Sequence, residues 1–141
     1  IIFAIIVGAI AKESDKALLV QIAGILVVVG HTYPVFFGFK GGKGVATALG
    51  VLLITNWKIG LICLVFALVI MALTRIVSAG SVVAAVLFPV LVLFMHTNYT
   101  ISEGSSYFVY SIILAVIVLF NHRSNIKRIL SGTENKLSFK K

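Results

Sequence analysis

Gly30-His31-Thr32-Tyr33-Pro34-Val35-Phe36-Phe37-Gly38-Phe39-Lys40-Gly41-Gly42-Lys43-Gly44-Val45-Ala46-Thr47 decides how this chain is read. It is a glycine-rich turn with two lysines, set between runs that are almost wholly apolar. Glycines 41, 42 and 44 leave backbone N–H groups uncovered and free to take left-handed conformations. Val45-Ala46-Thr47-Ala48-Leu49 reads as the first turn of a helix whose positive end faces the loop. Amides, helix dipole and ammonium groups converge where an oxyanion would bind.

The surrounding sequence places this loop in a membrane. Of 141 residues, 60% are hydrophobic and 11% charged, and the mean hydropathy is +1.16, which a water-soluble domain could reach only by exposing large apolar patches. Six apolar segments stand between polar breaks: Ile1–Ala11, Ala17–Gly30, Val45–Ile54, Trp57–Leu73, Ser78–Met95 and Tyr107–Phe120. Each is expected to be helical, because a helix satisfies its own backbone in lipid and a lone strand does not. The prediction is an all-α, polytopic membrane helix bundle, a single domain over residues 1–141. A crossing takes about 20 residues, so Ile1–Ala11 reads as truncated and Val45–Ile54 spans only if its helix starts inside the glycine loop. Gly44/Ala48 and Ala46/Gly50, four apart, suit close helix approach in a buried segment, and Pro89 predicts a kink. The opening Ile1-Ile2-Phe3-Ala4, with neither Met nor a basic leader, predicts an N-terminally truncated chain.

Basic residues orient the bundle. If all six segments cross, Lys40, Lys43, Arg75, Arg123, Lys127, Arg128, Lys136, Lys140 and Lys141 share one side, expected to be cytoplasmic, against Lys12, Lys16 and Lys58. A re-entrant third segment divides the charges equally well but separates the glycine loop from the basic tail by a bilayer. The +8 charge does not imply nucleic acid, since sidedness accounts for nine of the twelve cations.

The tail Asn121-His122-Arg123-Ser124-Asn125-Ile126-Lys127-Arg128-Ile129-Leu130 reads as a direct continuation of the last apolar helix, ended by Gly132, with His122, Asn125 and Arg128 on adjacent parts of one face. Such a group can hold and deprotonate a phosphorylated molecule. Lys127, Lys136, Lys140 and Lys141 read as orienting charges that touch anionic lipid. In Arg75-Ile76-Val77-Ser78-Ala79-Gly80-Ser81, Arg75 reads as an orienting charge and Ser78 as a helix cap, and the same helix start can hold phosphate oxygens.

Absences narrow the chemistry. Lys43 precedes Gly44 instead of Ser or Thr, which excludes a P-loop. None of His31, His96 and His122 has an aspartate five residues on. Glu13, Asp15, Glu103 and Glu134 are too scattered for paired-carboxylate or metal chemistry. Cys63, the sole cysteine, forms no intramolecular disulfide.

The long motif from Gly30 to Thr47, followed by His122-Arg123-x-Asn125-Ile126-x-Arg128-x-x-x-Gly132-x-Glu134, closely resembles the bacterial acyl-phosphate:glycerol-3-phosphate acyltransferase family. The resemblance spans essentially the whole chain and includes Arg75–Ser81. It implies a seven-helix enzyme of the bacterial plasma membrane that moves a fatty acyl group from acyl phosphate to glycerol 3-phosphate. The products are lysophosphatidate and phosphate, and neither acyl-CoA nor a metal is needed. The family's earlier helix and its first cytoplasmic loop are expected to be missing from the 141 residues.

On that basis Lys43, the amides of Gly41, Gly42 and Gly44, and Thr47 are expected to hold the acyl-phosphate head, with Lys40 the alternative or second cation. His122 and Asn125 would orient glycerol 3-phosphate, Arg128 would bind its phosphate, and Ser78 and Ser81 would contribute phosphate contacts. Either His122 or a substrate phosphate oxygen would take the proton. His31 is read equally as a substrate contact and as a helix-end residue bonded to backbone. No cofactor, metal or obligate protein partner is expected. The alternative functions are a small transporter or flippase for an anionic metabolite, which inverted repeats would favour, and a structural membrane subunit.

Overall fold

A computed structural model describes residues 13–38, 41–95 and 101–138. The first apolar segment, Lys12, Lys40, His96, Lys140 and Lys141 lie outside the described residues. Six helices follow in order: α1 (Glu13–Thr32), α2 (Val45–Thr55), α3 (Trp57–Thr74), α4 (Val77–Phe94), α5 (Ile101–Asn121) and α6 (Arg123–Leu130), with a 3-10 turn at Val35–Phe37.

The breaks follow local chemistry. α1 stops before Pro34, whose extended φ −70 and ψ 118 start the 3-10 turn. α2 and α3 are separated by Asn56 alone, whose side-chain oxygen accepts from Ile59 N at 3.1 Å. α3 ends at Arg75, which takes a left-handed φ of 60° and is unique among the described non-glycine residues in having positive φ. α4 runs unbroken through Pro89. Its start corrects the expectation for Ser78: the N-cap is Ile76, and Ile76 N donates to Thr74 Oγ1 at 3.1 Å. Ser78 lies inside the first turn and is free for another partner.

α3 and α4 each have 18 residues and mean hydropathies of 2.3 and 2.4, so each is about 27 Å of apolar rod. They pack closely where Gly80 meets α3, since a Cβ there would lie 2.5 Å from Ala67 O. α2 has 11 residues, or about 17 Å, too short to cross a hydrocarbon core of about 30 Å alone. It begins at Val45 and not inside the loop. α2 packs against α1 and α3 and carries the chain away from the glycine loop. At its far end Thr55 Oγ1 lies 3.1 Å from Tyr107 Oη. The core of Val28, Val51, Leu52, Ile59, Phe88 and Tyr110 is buried between the helices. Phe66, Leu73, Leu93 and Phe94 remain exposed, as lipid-facing residues of a polytopic membrane bundle do.

The tail departs from expectation in one respect. α6 does not continue α5 but turns from it by 65°. At the joint, His122 N shares Val118 O and Leu119 O at 3.1 and 3.0 Å, and His122 Nδ1 also bonds Val118 O at 2.8 Å. The side chain thus occupies a carbonyl at the end of α5 while the chain swings into a new axis. Gly132 ends α6 as expected, at φ +70. Gly132 N donates to Ile129 O at 3.1 Å and Thr133 N to Arg128 O at 2.8 Å, the paired bonds of a Schellman turn. That turn folds residues 133–138 back over the bundle end.

Candidate active site

Three stretches distant in sequence meet where the tail folds back. Lys43 Nζ donates to Asn125 Oδ1 at 2.7 Å, so the glycine loop and the tail share one face of the bundle. No bilayer separates the two. Asn125 is buried, and its amide passes the contact on: Nδ2 donates to Glu134 Oε1 at 2.6 Å. Ser78 Oγ donates to the same oxygen at 2.6 Å. Arg128 Nε donates to Glu134 Oε2, also at 2.6 Å.

Glu134 is therefore the hub of the cluster. Its side chain is 7% exposed, and its negative charge sits at the first turn of α4, where the helix dipole favours an anion. The donors Ser78, Asn125 and Arg128 together hold its carboxyl down at about 2. Sequence reasoning included this residue in the tail motif but gave it no role, because it looked for carboxylates as acids, bases or metal ligands. The available signal was position: Glu134 falls two residues after the glycine that reverses the chain.

A cleft of about 680 Å³ opens beside the hub, lined by His31, Lys43, Gly44, Ser78, Ser81, His122, Asn125 and Glu134 among others. His122 is buried. Because Val118 O can only accept, the ring nitrogen facing it carries the hydrogen, leaving Nε2 as the nitrogen of the neutral ring that can accept a proton. Burial holds this imidazole, at the joint beyond α5, below its ordinary value; the Lys43 charge acts in the same sense and the Val118 carbonyl against it. The cleft floor leads into an apolar recess that shares Val45, Leu49, Leu64, Ala67 and Ser81 with it and continues to Ala85 and Phe88.

The loop glycines divide their work. Gly44 alone of the three adopts a left-handed φ, +79°, immediately before α2. Gly41 is required for closeness: a Cβ there would lie 2.5 Å from Thr32 O and 2.7 Å from Pro34 Cδ. A Cβ on Gly42 would lie 2.6 Å from His31 Nε2, so the His31 ring packs over the loop backbone.

Most of the expected residues thus come together. Arg128 reaches the cluster through Glu134 and is not on the cleft wall, and Ser81 Oγ lines the cleft while donating to Val77 O at 3.2 Å. Gly41, Gly42 and Thr47 are not among the lining residues. Lys40 lies outside the described residues.

Fold and cleft define the class: an integral-membrane helix bundle with a cationic, glycine-edged cleft at one end of its helices. A family profile described as glycerol-3-phosphate acyltransferase matches residues 1–132, and the chain belongs to that family. It is 41% identical over 139 residues to the glycerol-3-phosphate acyltransferase of Thermoanaerobacter sp. (strain X514), covering 99% of this chain and 66% of the relative. It is 42% identical over 125 residues to that of Prochlorococcus marinus (strain MIT 9312), covering 89% and 61%. The crystal structure of PlsY (YgiH), an integral membrane glycerol 3-phosphate acyltransferase in its glycerol 3-phosphate form, superposes with a TM-score of 0.77 at 34% identity, covering 93% of this chain and 64% of that one. A second form of the same protein holds lysophosphatidic acid. The chain thus spans slightly less than two thirds of the length of these relatives.

Proposed function

We propose that the protein transfers a fatty acyl group from acyl phosphate to glycerol 3-phosphate, forming lysophosphatidate and inorganic phosphate, an early step of phospholipid synthesis. The reaction takes place at the cytoplasmic face of the bacterial plasma membrane, with no cofactor and no obligate protein partner. The observation that carries this reading is the meeting of Lys43, Ser78, His122 and Asn125 around one cleft that continues into an apolar recess. Both proposed substrates bear phosphate and one bears a lipid tail, so a site for them must be cationic at its mouth and apolar at its base.

The hydroxyl oxygen of glycerol 3-phosphate attacks the acyl carbonyl carbon. The bond from that carbon to the phosphate oxygen breaks, and phosphate leaves with the electron pair. Lys43 and the amides of Gly41, Gly42 and Gly44 steady the charge gathering on the departing phosphate. Asn125, fixed between Lys43 and Glu134, orients the acceptor. The hydroxyl proton passes to His122 Nε2 or to a phosphate oxygen, and no acyl-enzyme forms. Arg128 takes a different part from the one its sequence position suggested: it holds Glu134, and through it Ser78 and Asn125.

Incubating purified full-length protein with acyl phosphate and glycerol 3-phosphate tests the reading. Release of phosphate matched by lysophosphatidate is expected. Absence of both products in protein that is folded and membrane-inserted would overturn it.

A further inference from the structure

Among the tail lysines, Lys136 stands apart. Its sequence position groups it with the orienting charges, yet it lines the cleft together with Lys43, His31 and His122. The backbone on either side of it is fixed. Two residues before it, Glu134 is held by Ser78, Asn125 and Arg128. One residue after it, Leu137 N donates to Arg75 O at 2.7 Å. Lys136 is thus presented at the cleft by a strap pinned at both ends, while the side chain itself is exposed.

Charge balance gives that lysine a task. The carboxylate of Glu134 is paired with Arg128, which removes that guanidinium from the positive charge available to a ligand. Lys43 is hydrogen-bonded to the amide of Asn125, which brings no negative charge to offset it. Among the described residues lining the cleft, the fixed cations are Lys43 and Lys136. Acyl transfer between two phosphate-bearing molecules brings two anionic groups into one cleft, where their repulsion grows as water is excluded. One ammonium cannot offset both.

We propose that Lys136 is a substrate-binding residue that takes the phosphate group of an incoming reactant at the water-facing rim of the cleft, paired in function with Lys43. This rests on the acyl-transfer reading above. Lys136 acts on capture and not on the chemical step, because its long exposed side chain gains a charge-assisted contact with the bound phosphate in ground and transition states alike.

The test uses full-length protein carrying Lys136→Gln or Lys136→Arg, with Lys127→Gln as a control, since Lys127 is exposed on α6 and does not line the cleft. Lys136→Gln should raise KM for a phosphate-bearing substrate by about tenfold, the loss of one charge-assisted hydrogen bond, with kcat nearly unchanged. Lys136→Arg should largely restore KM, and Lys127→Gln should leave it unaltered. The substrate whose KM moves identifies which phosphate is held. In parallel, protection of each protein against thermal unfolding is titrated with inorganic phosphate, which needs no turnover. Lys136→Gln should weaken that protection by a similar factor. Wild-type KM for both substrates together with wild-type phosphate protection in Lys136→Gln would overturn the proposal. An inactive wild-type protein would count against acyl transfer, while the phosphate titration would still decide the role of Lys136.

Discussion

Lys43 Nζ and Asn125 Oδ1 stand 2.7 Å apart across 82 residues of sequence. The contact joins the glycine loop to the tail and sets the amide of Asn125, since an oxygen taken by an ammonium group forces the NH₂ toward Glu134.

Replacing Lys43 with Ala in the full-length protein should therefore act twice, removing a cation and releasing Asn125. Turnover is expected to fall by roughly a hundredfold or more, the scale for losing one oxyanion-stabilising donor. Steady-state kinetics with phosphate release as readout measures it, and near-normal kcat would take Lys43 out of the chemistry.

His122→Ala addresses the base. With the imidazole held below its ordinary value of 6.5, the neutral form dominates at pH 7, and activity should decline only as pH drops below about 6.5. The variant should lose that acidic limb as well as rate. A variant whose pH profile matches wild type would assign the proton to a substrate phosphate.

Glu134 makes stability depend on acid. Its carboxyl titrates at about 2 against an ordinary 4.5, so the folded state prefers the ionised form. That stabilisation is complete above pH 4.5 and drains away as pH falls toward 2. Melting temperatures measured across this window should drop for wild type and drop less for Glu134→Gln. At neutral pH the same variant should melt lower than wild type and lose activity, because Ser78, Asn125 and Arg128 no longer share a charged acceptor. Parallel acid curves for the two proteins would show that the carboxylate carries no such role.

Glycine substitutions separate space from conformation. Gly41→Ala should abolish activity, because its methyl group would run into the carbonyls that end α1. Gly30→Ala, with nothing within 4 Å of the added carbon, should be close to neutral. Activity of the two variants at matched expression gives the comparison, and an active Gly41→Ala would mean that the loop does not sit against α1.

Much of this was legible in the sequence. Apolar runs place α2, α3 and α4 to within one residue and miss the starts of α1 and α5 by four and six, because runs of that length have one satisfactory backbone in lipid while polar first turns carry no apolar signal. Lys43, His122 and Asn125 could be chosen because polar side chains beside apolar helices need a reason to be there. Three features stayed hidden. The bend at His122 arises from a side chain occupying a backbone carbonyl, which leaves the helical periodicity of the tail undisturbed. Ser78 looks like a cap by position, but its partner lies 56 residues away. Glu134 serves as an acceptor that organises donors, and although Gly132 marks the end of the helix, the partners that the reversed chain meets, Ser78 among them, are not given by local spacing.

The strap over the cleft also sets an order of events during synthesis. Helices α1 to α5 precede Glu134 in the chain, so they are synthesised before the carboxylate that gathers Ser78, Asn125 and Arg128. A protease cutting between Leu130 and Glu134 would sever that carboxylate from the helices, with the described helices kept and Ser78, Asn125 and Arg128 deprived of their shared acceptor.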